Sequence, residues 1–177
     1  MDELIDIYDE NGNYLKQEMK SIAHKLGLWH KSIHAILINK NNEMIIQKRS
    51  KDKDLYPSMW DFSFAGHVGA GENTVKSAIR ECEEELGFSL NENQIELLFT
   101  YPDKLKWGKI ISNEFVDIFL CRADFDINSF SKQDEEVDEL KIIPLKSYID
   151  MVKSNDKNII PHTEEYKILI PILEKLI

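Results

Sequence analysis

The sequence predicts an α/β fold in which a mixed β-sheet is covered on both faces by helices. Two observations carry this. Strand-like runs stand both before and after one helix-like stretch in the middle of the chain, and further helical segments follow them. The central stretch is entered through a glycine-rich segment that holds three of the chain's seven glycines, Gly66, Gly69 and Gly71.

Taken in order, Leu4–Tyr8 and Tyr14–Gln17 flank Asn11-Gly12, a strong hairpin signal, and predict an N-terminal hairpin over about residues 1–20. Ile33–Asn39 and Met44–Lys48 read as strands around Lys40-Asn41-Asn42-Glu43, a second hairpin. The central helix is expected from Thr74 to Leu86, with Gly87 at its C-cap. Gln94–Tyr101 and Glu114–Cys121 read as further strands. The acidic run Asp134–Glu139 reads as a solvated turn or helix. Ser147–Ser154 and Thr163–Leu176 read as helices within the C-terminal part (about 147–177), and Pro171 is expected to kink or interrupt the second. With no repeat and no Pro/Gly/Ser linker, residues 1–177 are expected to form one domain.

Composition narrows the function. A hydrophobic content of 42% supports a substantial core, and a formal charge of −10 without a basic run argues against tracking a polynucleotide. Cys82 and Cys121 make neither a disulfide framework nor a zinc signature. The acidic opening Met1-Asp2-Glu3 lacks the pattern of a signal peptide, and no apolar stretch is long enough for a membrane span. A cytoplasmic protein acting on a small molecule is the expectation.

The central helix carries the chemistry. At about 100° per residue, Glu81, Glu84 and Glu85 lie within roughly 100° of arc, while Val75, Ile79, Cys82 and Leu86 form a separate apolar stripe. Like charges at these spacings oppose helix formation by a few tenths of a kcal/mol per pair, so about that much must be recovered elsewhere. A divalent cation would do so, and hard oxygen ligands suit Mg²⁺ or Mn²⁺. For the glutamates alone, a solvated acidic face is the plainer alternative.

The segment from Gly66 to Phe88 resembles the signature of the Nudix hydrolase family. Gly66, five residues, Glu72, seven residues, Arg80-Glu81-Cys82, one residue, Glu84-Glu85, one residue and Gly87-Phe88 fill its defined positions. The resemblance implies an α/β/α sandwich and metal-dependent hydrolysis of a diphosphate linkage in a nucleotide or related compound, with Mg²⁺ or Mn²⁺ as cofactor. It implies that Glu81, Glu84 and Glu85 hold metal, that one of the glutamates acts as general base, and that Arg80 orients them. The catalytic candidates are thus Arg80, Glu81 and Glu84. Lys48, Arg49 and Gly66 are candidates for substrate contact, although Lys48 and Arg49 also fit a solvated strand end. Glu72 fits a helix cap or a functional carboxylate equally well. Homodimers are common in the family.

A second resemblance, over about residues 2–120, is to the Nudix subgroup related to isopentenyl-diphosphate isomerase. His24, His30, Gln47-Lys48-Arg49-Ser50, Pro57, Trp60-Asp61 and Gly66-His67 carry it. It implies that His24, His30, His67 and Glu114 are positioned as a further metal site, where imidazole would favour Zn²⁺ or Mn²⁺. Ala65 stands where those isomerases carry a cysteine, which argues against isomerase activity and leaves it as the alternative, beside a ligand-binding domain without turnover. His34 and His162, taken singly, read as surface or core residues. Trp29, Trp60 and Trp107 read mainly as packing, with base stacking the lesser expectation.

Overall fold

A computed structural model describes residues 2–177; Met1, which opens the expected N-terminal hairpin, lies outside them. The hairpin forms as β1 (Leu4–Tyr8) and β2 (Tyr14–Met19). Its turn holds because Gly12 takes a φ of 83° and the Asp9 carboxylate accepts from the backbone N–H groups of Asn11 and Asn13.

The sheet is organised around β3 (Trp29–Ile38). It pairs in parallel with β8 (Ile110–Arg122), from Trp29 opposite Asn113 to Ile38 opposite Arg122. On its other side it pairs antiparallel with β6 (Phe64–His67). Strand β4 (Glu43–Arg49) pairs antiparallel with β9 (Val137–Pro144) and with the short β5 (Trp60–Asp61). Strand β7 (Ile95–Trp107) completes the sheet against β8.

Both faces of β3 are buried, which explains its unbroken apolar run from Ala35 to Ile38. Ile33, Ala35 and Leu37 face helix α2 (Thr74–Leu86), packing with Phe64, Ala78, Cys82 and Leu86. Ile36 and Ile38 face the opposite layer, helices α3 (Leu145–Lys153) and α4 (Thr163–Leu173), packing with Phe62, Tyr148 and Leu169. The expected α/β/α layering is therefore present.

Several expectations need correction. A short helix, α1 (Lys20–Leu26), follows β2 with only Ala23 buried and no side-chain cap, so its apolar signal is weak. The acidic run is a turn over residues 134–136, but from Val137 the chain joins β9. Val137 is buried, and Leu140 and Ile142 pack on the α2 side, so alternation outweighs local charge. Strands β7 and β8 extend well beyond the predicted runs as a long hairpin. Helix α4 passes through Pro171 and ends two residues later in a 3₁₀ turn, Glu174–Leu176. Among the described residues no helix is long and apolar enough to cross a membrane.

The start and stop of α2 follow its local chemistry. The Asn73 side chain accepts from the Lys76 N–H, and Gly87 closes the helix at a φ of 60°. A Cβ at Gly87 would also stand 2.5 Å from the Ser131 carbonyl oxygen. Gly87→Ala is expected to lower stability by about 1–3 kcal/mol, from left-handed strain and displacement of that loop. Urea unfolding measures this; an unchanged midpoint would show that the loop yields freely.

Candidate active site

A cleft of about 850 Å³ opens over one face of β3 and is walled by α2, β6, the β4–β5 loop and the start of α4. Arg80, Glu81, Glu84 and Glu85 all reach it, as do Gly66, His67, Arg49 and Glu114. Glu81 and Glu85 are buried, whereas the Glu84 side chain is about half exposed. Gly66 makes the burial of Glu81 possible: a Cβ there would lie 2.1 Å from the Glu81 Cδ. Glu85 accepts from Gln47 Nε2 at 2.7 Å and from the Ala65 N–H at 3.2 Å.

Arg80 ties the carboxylates together. Its Nη1 donates to Glu81 at 2.8 Å and to Glu84 at 3.0 Å, and its Nη2 donates to the His67 carbonyl at 3.0 Å and to Glu72 at 3.3 Å. Glu72 also accepts from Ser77 Oγ at 2.7 Å, so it anchors the guanidinium rather than serving only as a helix cap. Burial pushes Glu81 up to about 8 and Glu85 up to about 7. Protein donors alone therefore leave these two carboxylates short of compensation, which is the electrostatic setting of a cation site.

The four residues carried by the second resemblance do meet. His24 of α1, His30 of β3, His67 of β6 and Glu114 of β8 each bring one ligating atom to within 4.8 Å of the others. The Nε2 atoms of all three histidines are buried without a hydrogen-bond partner. His30 Nδ1 lies 2.9 Å from the Leu28 carbonyl, which assigns the proton to Nδ1 and leaves a lone pair on Nε2. Burial lowers His67 to about 3 and also lowers His24, keeping both neutral. Glu114 Oε1 lies 3.6 Å from His30 Nε2 and 3.8 Å from His67 Nε2. The Ser32 and Ser112 hydroxyls donate to that carboxylate.

A further group was missed by the sequence reading. His34, His162 and Glu165 also bring ligating atoms within 4.8 Å of one another, so neither histidine is an isolated surface or core residue. His34 Nδ1 lies 2.8 Å from Glu165 Oε2, and His162 Nε2 lies 3.1 Å from Asp61 Oδ1. Burial opposes protonation of His34, but the Glu165 carboxylate outweighs it and raises the imidazole to about 9. Burial likewise opposes ionisation of Asp61, while His162 and then Arg49 hold its carboxyl far below the usual range. Period-two spacing of His30, Ser32 and His34 along β3 was the available signal for His34. The Glu81, Glu84 and Glu85 trio is not one of these two compact groups; Arg80 bridges Glu81 and Glu84, while Glu85 is held by Gln47 and the Ala65 N–H.

The remaining candidates separate clearly. Arg49 lines the cleft beside Lys53, while Lys48 stands opposite Trp60 and Glu139 in the sheet and is not among the cleft walls. Trp29 stacks on Phe115 at 4.6 Å, and Trp60 is largely buried beneath Lys141. Trp107 is exposed, with the cleft residue Tyr56 5.0 Å away.

The NUDIX domain profile matches residues 28–163. The chain is 34% identical over 160 residues to Nudix hydrolase 3 of Arabidopsis thaliana, covering 86% of this chain but only 21% of that protein. It is 30% identical over 124 residues to an isopentenyl-diphosphate Delta-isomerase of Serratia proteamaculans, covering 70% of this chain and 68% of that one. A Deinococcus radiodurans crystal structure superposes with a TM-score of 0.70 over 98% of both chains at 17% identity, a likeness of fold.

Gly66→Ala is expected to push the Glu81 carboxylate out of its notch toward solvent. Carbon-13 NMR of that carboxyl should then show its titration moving down from about 8 toward the usual range. A carboxyl still titrating near 8 in the folded variant would show that the Gly66 notch is not what buries it.

Proposed function

The chain belongs to the Nudix domain family, and from that premise we propose that it hydrolyses a diphosphate linkage in a nucleotide or related small molecule, using Mg²⁺ or Mn²⁺. The observation that carries this reading is one cleft in which buried carboxylates face the cations Lys20, Arg49, Lys53 and Arg80. Such an arrangement accommodates both a divalent ion and the oxygens of a diphosphate. The donor set fits the ion: Glu81 and Glu85 are buried carboxylates with raised pKa values, and Glu84 sits one turn from Glu81. Glu81, Glu84 and Glu85 would hold it, and when bound it supplies Lewis acidity and makes water more acidic.

The protein's own groups divide the remaining work. Arg80 sets the direction of Glu81 and Glu84, either of which can take the proton of the attacking water. The water oxygen bonds to phosphorus as the bridging P–O bond breaks, and the charge on the leaving phosphate oxygen falls beside Arg49 and Lys53. The Tyr56 and Tyr101 rings on the cleft wall provide surfaces for a base. The net charge of −10 supports a small molecule rather than a polynucleotide as partner, and two buried free cysteines suit a reducing compartment such as the cytoplasm. A homodimer is the proposed assembly, by analogy with the family.

We extend the proposal to a further metal site at His24, His30, His67 and Glu114, supported by the three orphaned Nε2 atoms. That cluster and the isomerase-named relative are what favour the second reading, isopentenyl-diphosphate isomerisation. Ala65 weighs against it, because a methyl group can neither donate nor remove a proton. Ser63 cannot substitute: it is fully buried, donates to the Ile45 carbonyl and accepts from the Leu37 N–H.

Glu84→Gln is expected to lower turnover by about a hundredfold or more while leaving the thermal midpoint unchanged, because the residue is exposed at its carboxylate. Near-normal turnover would remove Glu84 from the mechanism. The assay is a panel of nucleoside di- and triphosphates, dinucleotides and nucleotide sugars with Mg²⁺ and Mn²⁺.

Incubation with labelled isopentenyl diphosphate is expected to yield no dimethylallyl diphosphate. Its formation at enzymatic rates would promote the isomerase reading.

A further inference from the structure

We propose that His34, His162 and Glu165 form a separate binding site for a transition-metal dication of the zinc type, with Asp61 orienting His162. The three residues join two elements, His34 from the middle of β3 and His162 with Glu165 from the start of α4. Their mutual distances suit a metal. Without metal, His34 Nδ1–H donates to Glu165 Oε2 at 2.8 Å, so an entering dication displaces that proton; His162 Nδ1 stands 4.0 Å from the same oxygen, close to the edge of about 3.3 Å in a tetrahedron with bonds of ~2.0–2.1 Å.

The second shell is also in place. His162 Nε2 faces Asp61 Oδ1 at 3.1 Å, so an Nε2–H donated there leaves the Nδ1 lone pair directed toward Glu165. Asp61 is buried and is steadied by Arg49 at 3.5 Å. Phe62 packs on both imidazoles, with ring centroids 5.0 Å from His34 and 4.8 Å from His162, which limits their rotation.

An independent observation points to a ligand. Glu165 is almost fully buried, and its Oε1 has no hydrogen-bond partner. Leaving a buried carboxylate oxygen unsatisfied is costly, and a cation that the Glu165 carboxylate grips through both oxygens removes that cost. Two imidazoles with one carboxylate select zinc-like ions over Mg²⁺. Three protein ligands leave a fourth position, and the partial exposure of both histidines in the cleft directs it toward water or an oxygen of a bound molecule. The site would thus clamp α4 to β3 and add an electrophile to the wall walled by α4. The inference does not depend on the diphosphate reading.

Metal counting tests it. Protein dialysed free of metal is loaded with Zn²⁺ or Co²⁺, and bound equivalents are measured by elemental mass spectrometry. His162→Gln and Glu165→Gln are each expected to bind one equivalent less than the parent, while His24→Gln retains that equivalent. Parent-like counts in both His162→Gln and Glu165→Gln would overturn the site.

Long-range ¹H–¹⁵N spectra of the unsubstituted protein ask the same question without risk to folding. Zn²⁺ is expected to shift Nδ1 of both His34 and His162 from the free-imidazole range to the metal-bound range. Unmoved Nδ1 signals at saturating Zn²⁺ would overturn the proposal.

Discussion

Glu72, Glu81, Glu84 and the His67 carbonyl converge on the guanidinium of Arg80, and the shape of the cleft depends on that convergence. A planar fork with five donors can serve several acceptors at fixed angles, which a lysine ammonium cannot. Each acceptor comes from a different local constraint. Glu81 is buried because Gly66 has no side chain, Glu72 is held by Ser77, and the His67 carbonyl is fixed by the pairing of β6 with β3. Arg80 thereby ties the entry loop, the helix and the sheet edge into one unit. The same contacts offset the repulsion among glutamates that would otherwise weaken α2.

Strand β3 distributes the rest of the chemistry. Its side chains alternate between faces, so Ile33, Ala35 and Leu37 build the core under α2 while His30, Ser32 and His34 line up on the other face. Parallel pairing sets Glu114 of β8 beside His30, and antiparallel pairing sets His67 of β6 beside Ser32. Two histidine-rich groups thus share one strand face, one at its start and the other toward its middle. The apolar residues that follow, Ile36 and Ile38, pack beneath α3 and α4 and so carry the start of α4 to His34.

How far the sequence discloses this depends on whether the signal is local. Helix α2 is legible because its cap residues, apolar stripe and carboxylate arc all lie within one short segment. The hairpin of β1 and β2 is legible for the same reason, through Asn11-Gly12. The assembly of His24, His30, His67 and Glu114 is not readable from spacing, and only family resemblance suggested it. Its members lie on four elements that meet through strand register. His34 and Glu165 are 131 positions apart, and no local pattern joins them. Lys48 and Arg49 show a finer limit: they are adjacent in sequence, yet alternation along β4 leaves only Arg49 among the cleft walls.

The pattern of unmet polar demand ties these observations together. Among the described residues, the buried side-chain atoms without a hydrogen-bond partner are His24 Nε2, His30 Nε2, His67 Nε2 and Glu165 Oε1. All four belong to the two histidine-rich groups, and none lies in the apolar layers. An orphaned buried polar group costs roughly 1–3 kcal/mol, so such atoms scattered through a core would signal poor packing. Confined to clusters whose ligating atoms converge within 4.8 Å, they instead resemble coordination sites in which a cation replaces the absent protein donors. The core layers can carry that local cost because nearly all of their own residues are apolar and buried. Stability is thus concentrated in the layers against α2, α3 and α4, and the unmet polar demand in two clusters that border the cleft through His67 and Glu114 and through His34, His162 and Glu165.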